Sequence, residues 1–255
     1  MRASALLPES LLRQIDRLRT WLYLRRVRGV TAEYVARHGL AVKGGPFAGL
    51  RYPERLESAP GDLVAKLLGS YERELHGVFA EWIAAGYPQV IDVGCAEGYY
   101  AVGLALAMPE TTVDAYDIDP AARAQCEALA TLNSLRDRVR LRSACEPSTL
   151  ADYPERGVAL LADCEGYERI LLDPNQAPRL RGWPILVELH EFLDPEITET
   201  IRTRFADSHE VEIIEGEGRE GDGLQELDFT SAGKRAAVLG ERRPGPMRWA
   251  HLRPR

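Results

Sequence analysis

The chain has only four cysteines in 255 residues, Cys95, Cys126, Cys145 and Cys164, and no CxxC pair among them. That spacing indicates neither a zinc site nor a redox pair, and reduced thiols in a cytoplasmic protein are the default expectation. No apolar run approaches the roughly 20 residues of a membrane span. The amino end lacks a signal peptide's pattern, because Pro8 and Glu9 cut short Ala5-Leu6-Leu7. There is no basic excess: 32 Lys and Arg against 39 Asp and Glu give a formal net charge of −7, which argues against nucleic acid as the main partner. No internal repeat is visible. What remains is a composition 45% hydrophobic and 28% charged, ordinary for one soluble globular domain with an added segment.

The most informative stretch runs from Val90 to Ala105. Val90 to Val93 is an apolar run of the length of one buried parallel strand. Gly94 and Gly98 follow, then apolar residues at helical spacing. Strand, glycine turn and helix form the first unit of a dinucleotide-type α/β fold, in which the backbone comes close to a ligand at a helix N-terminus. The turn also carries acids. Asp92 ends the strand and Glu97 sits between the glycines, where two carboxylates would repel a pyrophosphate and suit a ligand bearing an ammonium and a sulfonium. S-adenosylmethionine carries both. The next strand, Thr112 to Asp119, ends in acids. Asp117 lies 19 residues after Gly98, about where such folds place a carboxylate for ribose hydroxyls. The residues expected around the cofactor are Glu72, Asp92, Gly94, Cys95, Ala96, Glu97, Gly98, Tyr99, Asp117, Ile118, Ala144, Cys145 and Asp163. Read blandly, the glycines only make a tight turn. It is the acids around them that favour the methyl donor.

Elsewhere the pattern predicts a helix over 8–28 with an arginine-rich face (Arg13, Arg17, Arg19, Arg25, Arg26, Arg28), read as solvated. Glycines and prolines over 40–53 suggest a small hairpin. Ser70 is expected to cap a helix that Glu72 and Glu74 begin. A helix over 120–133, a strand over 138–142 and buried strands at Val158–Ala162 and Pro184–Val187 come next. A helix from about Pro195 to Phe205 and a strand over Val211–Ile214 follow. Glu215 to Asp222 reads as a mobile acidic loop, Ala236–Leu239 as the last strand, and 242–255 as an irregular tail. The expected division is thus an extension over 1–70, a cofactor-binding domain over 71–241, and the tail.

Three groups of residues together carry a family resemblance: the motif Asp92 to Gly98 with the acidic end of the second strand, Asp163-Cys164-Glu165-Gly166-Tyr167-Glu168, and Val187-Glu188-Leu189-His190. They resemble class I S-adenosylmethionine-dependent methyltransferases, and more narrowly the FkbM-like family. Gly45 to Tyr52 and Gly69 to Glu72 also resemble members found with sugar-modifying enzymes. The resemblance implies a doubly wound α/β fold with a mostly parallel seven-stranded sheet, an antiparallel last strand and helices on both faces. It implies methyl transfer to oxygen, often on a sugar, glycan or polyketide, with some relatives acting on peptide amide nitrogen. The loop Ser143 to Glu146, at a strand end and so expected over the adenine, departs from the family wording, reading Ser143-Ala144-Cys145 where Gly-Asp-Ala is usual.

An alcohol needs a base as the bond to carbon forms. Asp163, Glu165 and His190 stand at strand ends, with His190 titrating nearest neutrality and therefore first choice. Glu188 and His190 would also serve as plain hydrogen-bonding residues, and Glu168 as an exposed helix residue. Asp163, Glu188 and His190 offer a divalent cation the ligands that related O-methyltransferases use. A nicotinamide-dependent oxidoreductase and a non-catalytic binding module on the same fold are the rival readings. The acceptor is expected to be a small molecule or glycan, and a homo-oligomer is compatible with the sequence.

Overall fold

The structure, a computed structural model, describes residues 9–54, 62–218, 225–240 and 247–255; for 9–22 it describes the backbone alone. The expected acidic loop therefore lies outside the described residues beyond Gly218, and so do the side chains of the first half of the arginine-rich helix.

Seven strands form one sheet: β1 (Gln89–Val93), β2 (Thr112–Tyr116), β3 (Val139–Arg142), β4 (Val158–Ala162), β5 (Ile185–Leu189), β6 (His209–Glu215) and β7 (Arg248–Pro254). Their order is β3-β2-β1-β4-β5-β7-β6. β1 to β5 run parallel, and β7 lies antiparallel between β5 and β6. The central strands β1, β4 and β5 are buried at almost every position, because helices cover both faces. β3, at an edge, alternates instead.

Nine α-helices are described: α1 (Glu9–His38), α2 (Leu63–Leu68), α3 (His76–Ala85), α4 (Tyr99–Ala107), α5 (Pro120–Leu132), α6 (Pro147–Leu150), α7 (Glu168–Leu171), α8 (Ile197–Phe205) and α9 (Ala232–Leu239). One apolar core lies between the sheet and α1 to α5 with α9; the other lies under α6, α7 and α8. The amino-terminal segment shares the first core. Val27, Val30 and Tyr34 of α1 are buried at helical spacing, and the Tyr23 hydroxyl donates to the Ala237 carbonyl of α9 at 2.9 Å. Phe47 packs against Phe79 and Tyr99, with ring centroids 5.2 Å apart in each case. Its ring fills the space over Gly103, so a side chain there would collide with it.

Local chemistry explains several boundaries. Pro120 opens α5, and the Asp119 carboxylate caps it by accepting from the Ala121 N–H at 2.8 Å. The expected helix from Ser70 is interrupted. Gly69 ends α2 in a left-handed conformation, and Ser70 is no helix cap: its hydroxyl turns back to the Ala65 carbonyl. Glu72 has φ of 45°, so only a 3₁₀ turn over Arg73–Leu75 precedes α3. The expected hairpin over 40–53 is a single bridge, Ala41 with Arg51.

Two further expectations are corrected. Ala236–Leu239 belongs to α9 rather than to a strand. The segment expected to be an irregular tail contains β7, whose Trp249, Ala250, His251 and Leu252 are all buried. The antiparallel strand thus comes from 248–254 and lies inside the sheet. No helix of the described residues is long and apolar enough to cross a membrane.

Candidate active site

The parallel strands all point their carboxyl ends toward one edge, and the chain reverses its winding between β1 and β4. Ligands of open α/β sheets bind at that switch point. Gly94 has φ of 89° and lies against β4, and a Cβ on it would fall on the Asp163 carbonyl oxygen. Only glycine lets the two strand ends come so close. The loop continues through Ala96, with φ of 45°, to Gly98, with φ of 95°, and α4 begins. Asp117, after β2, holds this loop: one carboxylate oxygen accepts from the Ala96 N–H at 3.0 Å and the other from the Asp119 N–H at 2.8 Å. Each oxygen keeps a lone pair for a ligand.

Beside this loop lies a cavity of about 520 Å³, within the range of about 300–1,000 Å³ typical of small-molecule sites. Val93, Gly94 and Ala96 form one side, and Tyr116, Asp117 and Ile118 the next. Ser143 to Glu146, after β3, and Asp163 to Glu165 with Tyr167, after β4, complete it. Ile118 is 84% exposed, an apolar side chain held over the opening. Four lining residues are acidic (Asp117, Glu146, Asp163 and Glu165), and among the described lining residues none is Lys or Arg.

Of the residues expected around the cofactor, Gly94, Ala96, Asp117, Ile118, Ala144, Cys145 and Asp163 line this cavity. Glu72, Asp92, Cys95, Glu97, Gly98 and Tyr99 do not. Glu72 is buried and accepts from the Tyr100 hydroxyl. Glu97 is buried in an ion pair with Lys66, whose ammonium sits 4.6 Å from the centre of the Tyr71 ring and 5.5 Å from that of Tyr99. The charge assigned to Glu97 in the sequence reading is thereby neutralised. Asp92 lies beneath the loop, 1% exposed, with one carboxylate oxygen buried and without a hydrogen-bond partner. Burial, followed by the charges of Asp163 and Asp117, pushes its pKa up from 3.8 to about 8. Ser143 and Glu146 belong to the loop expected over the adenine, and Val93, Tyr116, Cys164 and Tyr167 line the cavity without having been expected there. Cys164 and Tyr167 stand in the acidic motif itself, so adjacency was the available signal.

Next to the cavity, His190 follows β5 and is 1% exposed. Its Nδ1 is 2.8 Å from Oε1 of Glu168 on α7. Glu168 is buried, not exposed, and the same oxygen accepts from the Cys164 N–H at 3.1 Å. A carboxylate accepts only, so Nδ1 is the donor and Nε2 keeps its lone pair in the neutral ring. Nε2 faces Asp163 and Glu165 at 3.5 Å each and Glu188 at 3.4 Å. Burial pulls the His190 pKa down, but the Glu168 hydrogen bond and charge, then Asp163 and Glu165, raise it above 6.5 overall. Glu168 is lowered in turn: burial opposes this most strongly, but the His190 hydrogen bond and charge together with backbone N–H donors, Cys164 among them, outweigh it. Ligand atoms of Asp163, Glu165 and His190 all lie within 4.8 Å of one another.

Asp163 and Glu165 therefore belong both to the cavity wall and to the histidine cluster. The arrangement places a buried histidine beside a small-molecule pocket, its Nδ1 held by Glu168 and its Nε2 facing three carboxylates.

No protein-family model matches the chain, and no curated protein matches it. Solved structures similar to it include precorrin 8W decarboxylase of Methanobacterium thermoautotrophicum, with 22% identity over 65% of this chain and 81% of that one and a TM-score of 0.44. A putative rRNA methylase of Clostridium thermocellum is similar at 16% identity over 69% and 93%, with a TM-score of 0.46. Precorrin-6y C5,15-methyltransferase of Geobacter metallireducens is similar at 13% over 68% and 87%, with a TM-score of 0.46.

Proposed function

We propose that this chain is an S-adenosylmethionine-dependent methyltransferase that methylates a hydroxyl of a sugar, glycan or other secondary metabolite. The observation that carries this reading is the sign of the charge around the cavity: four carboxylates and no basic side chain among the described lining residues. A nicotinamide dinucleotide would bring a pyrophosphate into that field, at a Coulombic cost. A ligand with a sulfonium and an ammonium gains from it. Asp117 is placed to accept from the ribose hydroxyls, and Ile118, Ala144, Cys145 and Tyr167 to flank the adenine.

Bound there, adenosylmethionine supplies a methyl group already activated by its sulfonium. The protein's part is to hold the acceptor oxygen in line and to remove its proton. Nε2 of His190 takes that proton. Glu168 fixes the tautomer through Nδ1–H and stabilises the imidazolium that forms, the role a carboxylate plays behind histidine in hydrolytic triads. Asp163, on the boundary between cavity and cluster, orients the acceptor hydroxyl, and Glu165 holds its exposed side.

The Asp163, Glu165 and His190 group also fits a hard divalent cation in ligand type and spacing. A cation there would supply Lewis-acid lowering of the hydroxyl's pKa, and His190 would then serve as a ligand through Nε2 instead of as the base. Turnover with and without a chelator separates the two roles.

The test is calorimetric titration with S-adenosylhomocysteine and, separately, with the nicotinamide cofactors. Micromolar binding of the first alone is expected, weakened about tenfold or more by Asp117→Ala, on the scale of one lost charge-assisted contact. Binding of a nicotinamide cofactor alone refutes the proposal. Mass spectrometry for gain of one methyl on glycans, metabolites and peptides then distinguishes oxygen from amide nitrogen.

A further inference from the structure

Beside the histidine cluster, the loop after β5 displays two large apolar side chains on a rigid mount. Phe192 is 47% exposed and Leu193 53%. The residues on either side of the pair are clamped. Glu191 accepts from both Nε and Nη2 of Arg248 on β7, and from the Thr198 hydroxyl at 2.6 Å. Asp194 accepts from both Nε and Nη2 of Arg169 on α7. The N–H groups of Leu193 and Asp194 both donate to the His190 carbonyl at 2.9 Å. Two forked ion pairs and this tight turn keep Phe192 and Leu193 from folding back into the core.

Both side chains border the reacting groups. The Phe192 ring meets the His190 ring edge to face, with centroids 5.7 Å apart. Leu193 lies over Gly166 in the acidic loop, and a Cβ on Gly166 would be 3.2 Å from its Cδ1. Carboxylates thus face both ring nitrogens of His190, while in the apolar wall Phe192 meets the ring itself and Leu193 covers the acidic loop. Exposed apolar surface held in place at a polar site marks a ligand's apolar part.

We infer that the methyl acceptor carries an alkyl or aryl body next to the reacting hydroxyl, and that Phe192 and Leu193 seat it. This rests on reading the site as methyl-transferring. A free, fully hydroxylated sugar leaves the wall wet, whereas a hydroxylated lipid, polyketide or alkyl-substituted glycoside covers it.

The experiment uses the full chain with S-adenosylhomocysteine present and compares hexyl β-D-glucopyranoside with methyl β-D-glucopyranoside by calorimetry. Wild type is expected to bind the hexyl compound about tenfold tighter or more, from burial of its alkyl chain. Phe192→Ser/Leu193→Ser is expected to erase that gap while leaving the melting temperature and S-adenosylhomocysteine affinity unchanged. No gap in wild type, whether both bind alike or neither binds, overturns the inference, as does a gap that survives the double substitution. Gel filtration or vesicle co-sedimentation that responds to the double substitution gives the wall to a second copy or to a lipid surface, and overturns it as well. Failure of S-adenosylhomocysteine to bind while the gap persists removes the methyltransferase reading and leaves the apolar seat standing.

Discussion

Replacing Asp92 by Asn should change how stability depends on pH more than it changes stability at any single low pH. The carboxyl is fully buried beneath the glycine loop, and one oxygen has no partner. It ionises at 3.8 in an ordinary setting and at about 8 in the fold. The folded state therefore binds a proton that the unfolded chain has released over the pH range between those values. Stability from this group is fully present below about pH 4 and is lost as pH rises, at about 1.4 kcal/mol per pH unit, until about pH 8. The whole loss is about 6 kcal/mol, a large share of the roughly 5–15 kcal/mol a domain possesses. Asparagine has nearly the same shape and no charge to bury. Urea denaturation of both proteins at about pH 5, 6, 7 and 8 should give a difference that widens in favour of Asp92→Asn along that slope. Titrations of groups away from Asp92 are common to the two chains and cancel; those of Asp163 and Asp117, whose charges act on Asp92, change with it. A difference constant across the range would mean that Asp92 is ionised in the fold throughout, and would refute the account of its burial.

Three further outcomes follow from the paired groups. Because Glu168 raises the His190 pKa, the rising limb of methyl transfer against pH should lie above 6.5 in wild type and move to lower pH in Glu168→Gln, with turnover at the optimum reduced by about 100-fold; an unmoved limb removes His190 as the base. The same pair stabilises the fold in a defined window: the His190 share is present below about 6.5 and lost as pH rises through its raised value, and the Glu168 share is lost as pH falls below its usual range. Lys66→Met strands Glu97 as a buried unpaired charge and should cost about 3–5 kcal/mol, while Lys66→Met/Glu97→Gln should recover most of it; equal loss in both variants, by chemical denaturation, argues against a buried ion pair.

What could be read from sequence was what repeats or punctuates. The central strands are short apolar runs between turn residues, and β1 and β4 lie where those runs predict them, while β2 ends at Tyr116, three residues short of the expected Asp119. Gly94 announces a close approach because no other residue permits one. Ala236–Leu239 failed for the converse reason: a four-residue apolar run has no period, and in the fold it belongs to a helix packed against α1 and α2. The β7 segment was obscured by Pro244, Pro246 and Pro254 and by its arginines, whereas its partners on both sides bury Trp249 and Leu252. At the site, Asp117 and His190 were visible as acids and bases at strand ends. The partners that decide their behaviour were not. Lys66 is 31 residues from Glu97 and Glu168 is 22 from His190, and no periodicity links residues that meet only when the sheet closes.

The place of β7 has a consequence for the newly made chain. β6 is translated before β7 yet pairs with β7 alone. Until residues 248–254 leave the ribosome, the β5 flank and the whole of β6 have open backbone groups, the kind of edge that recruits other strands. Most of the first five strands can assemble earlier in synthesis, but the final seam waits for residues 248–254, and a chain stalled or truncated short of Arg248 would emerge as a client for chaperones.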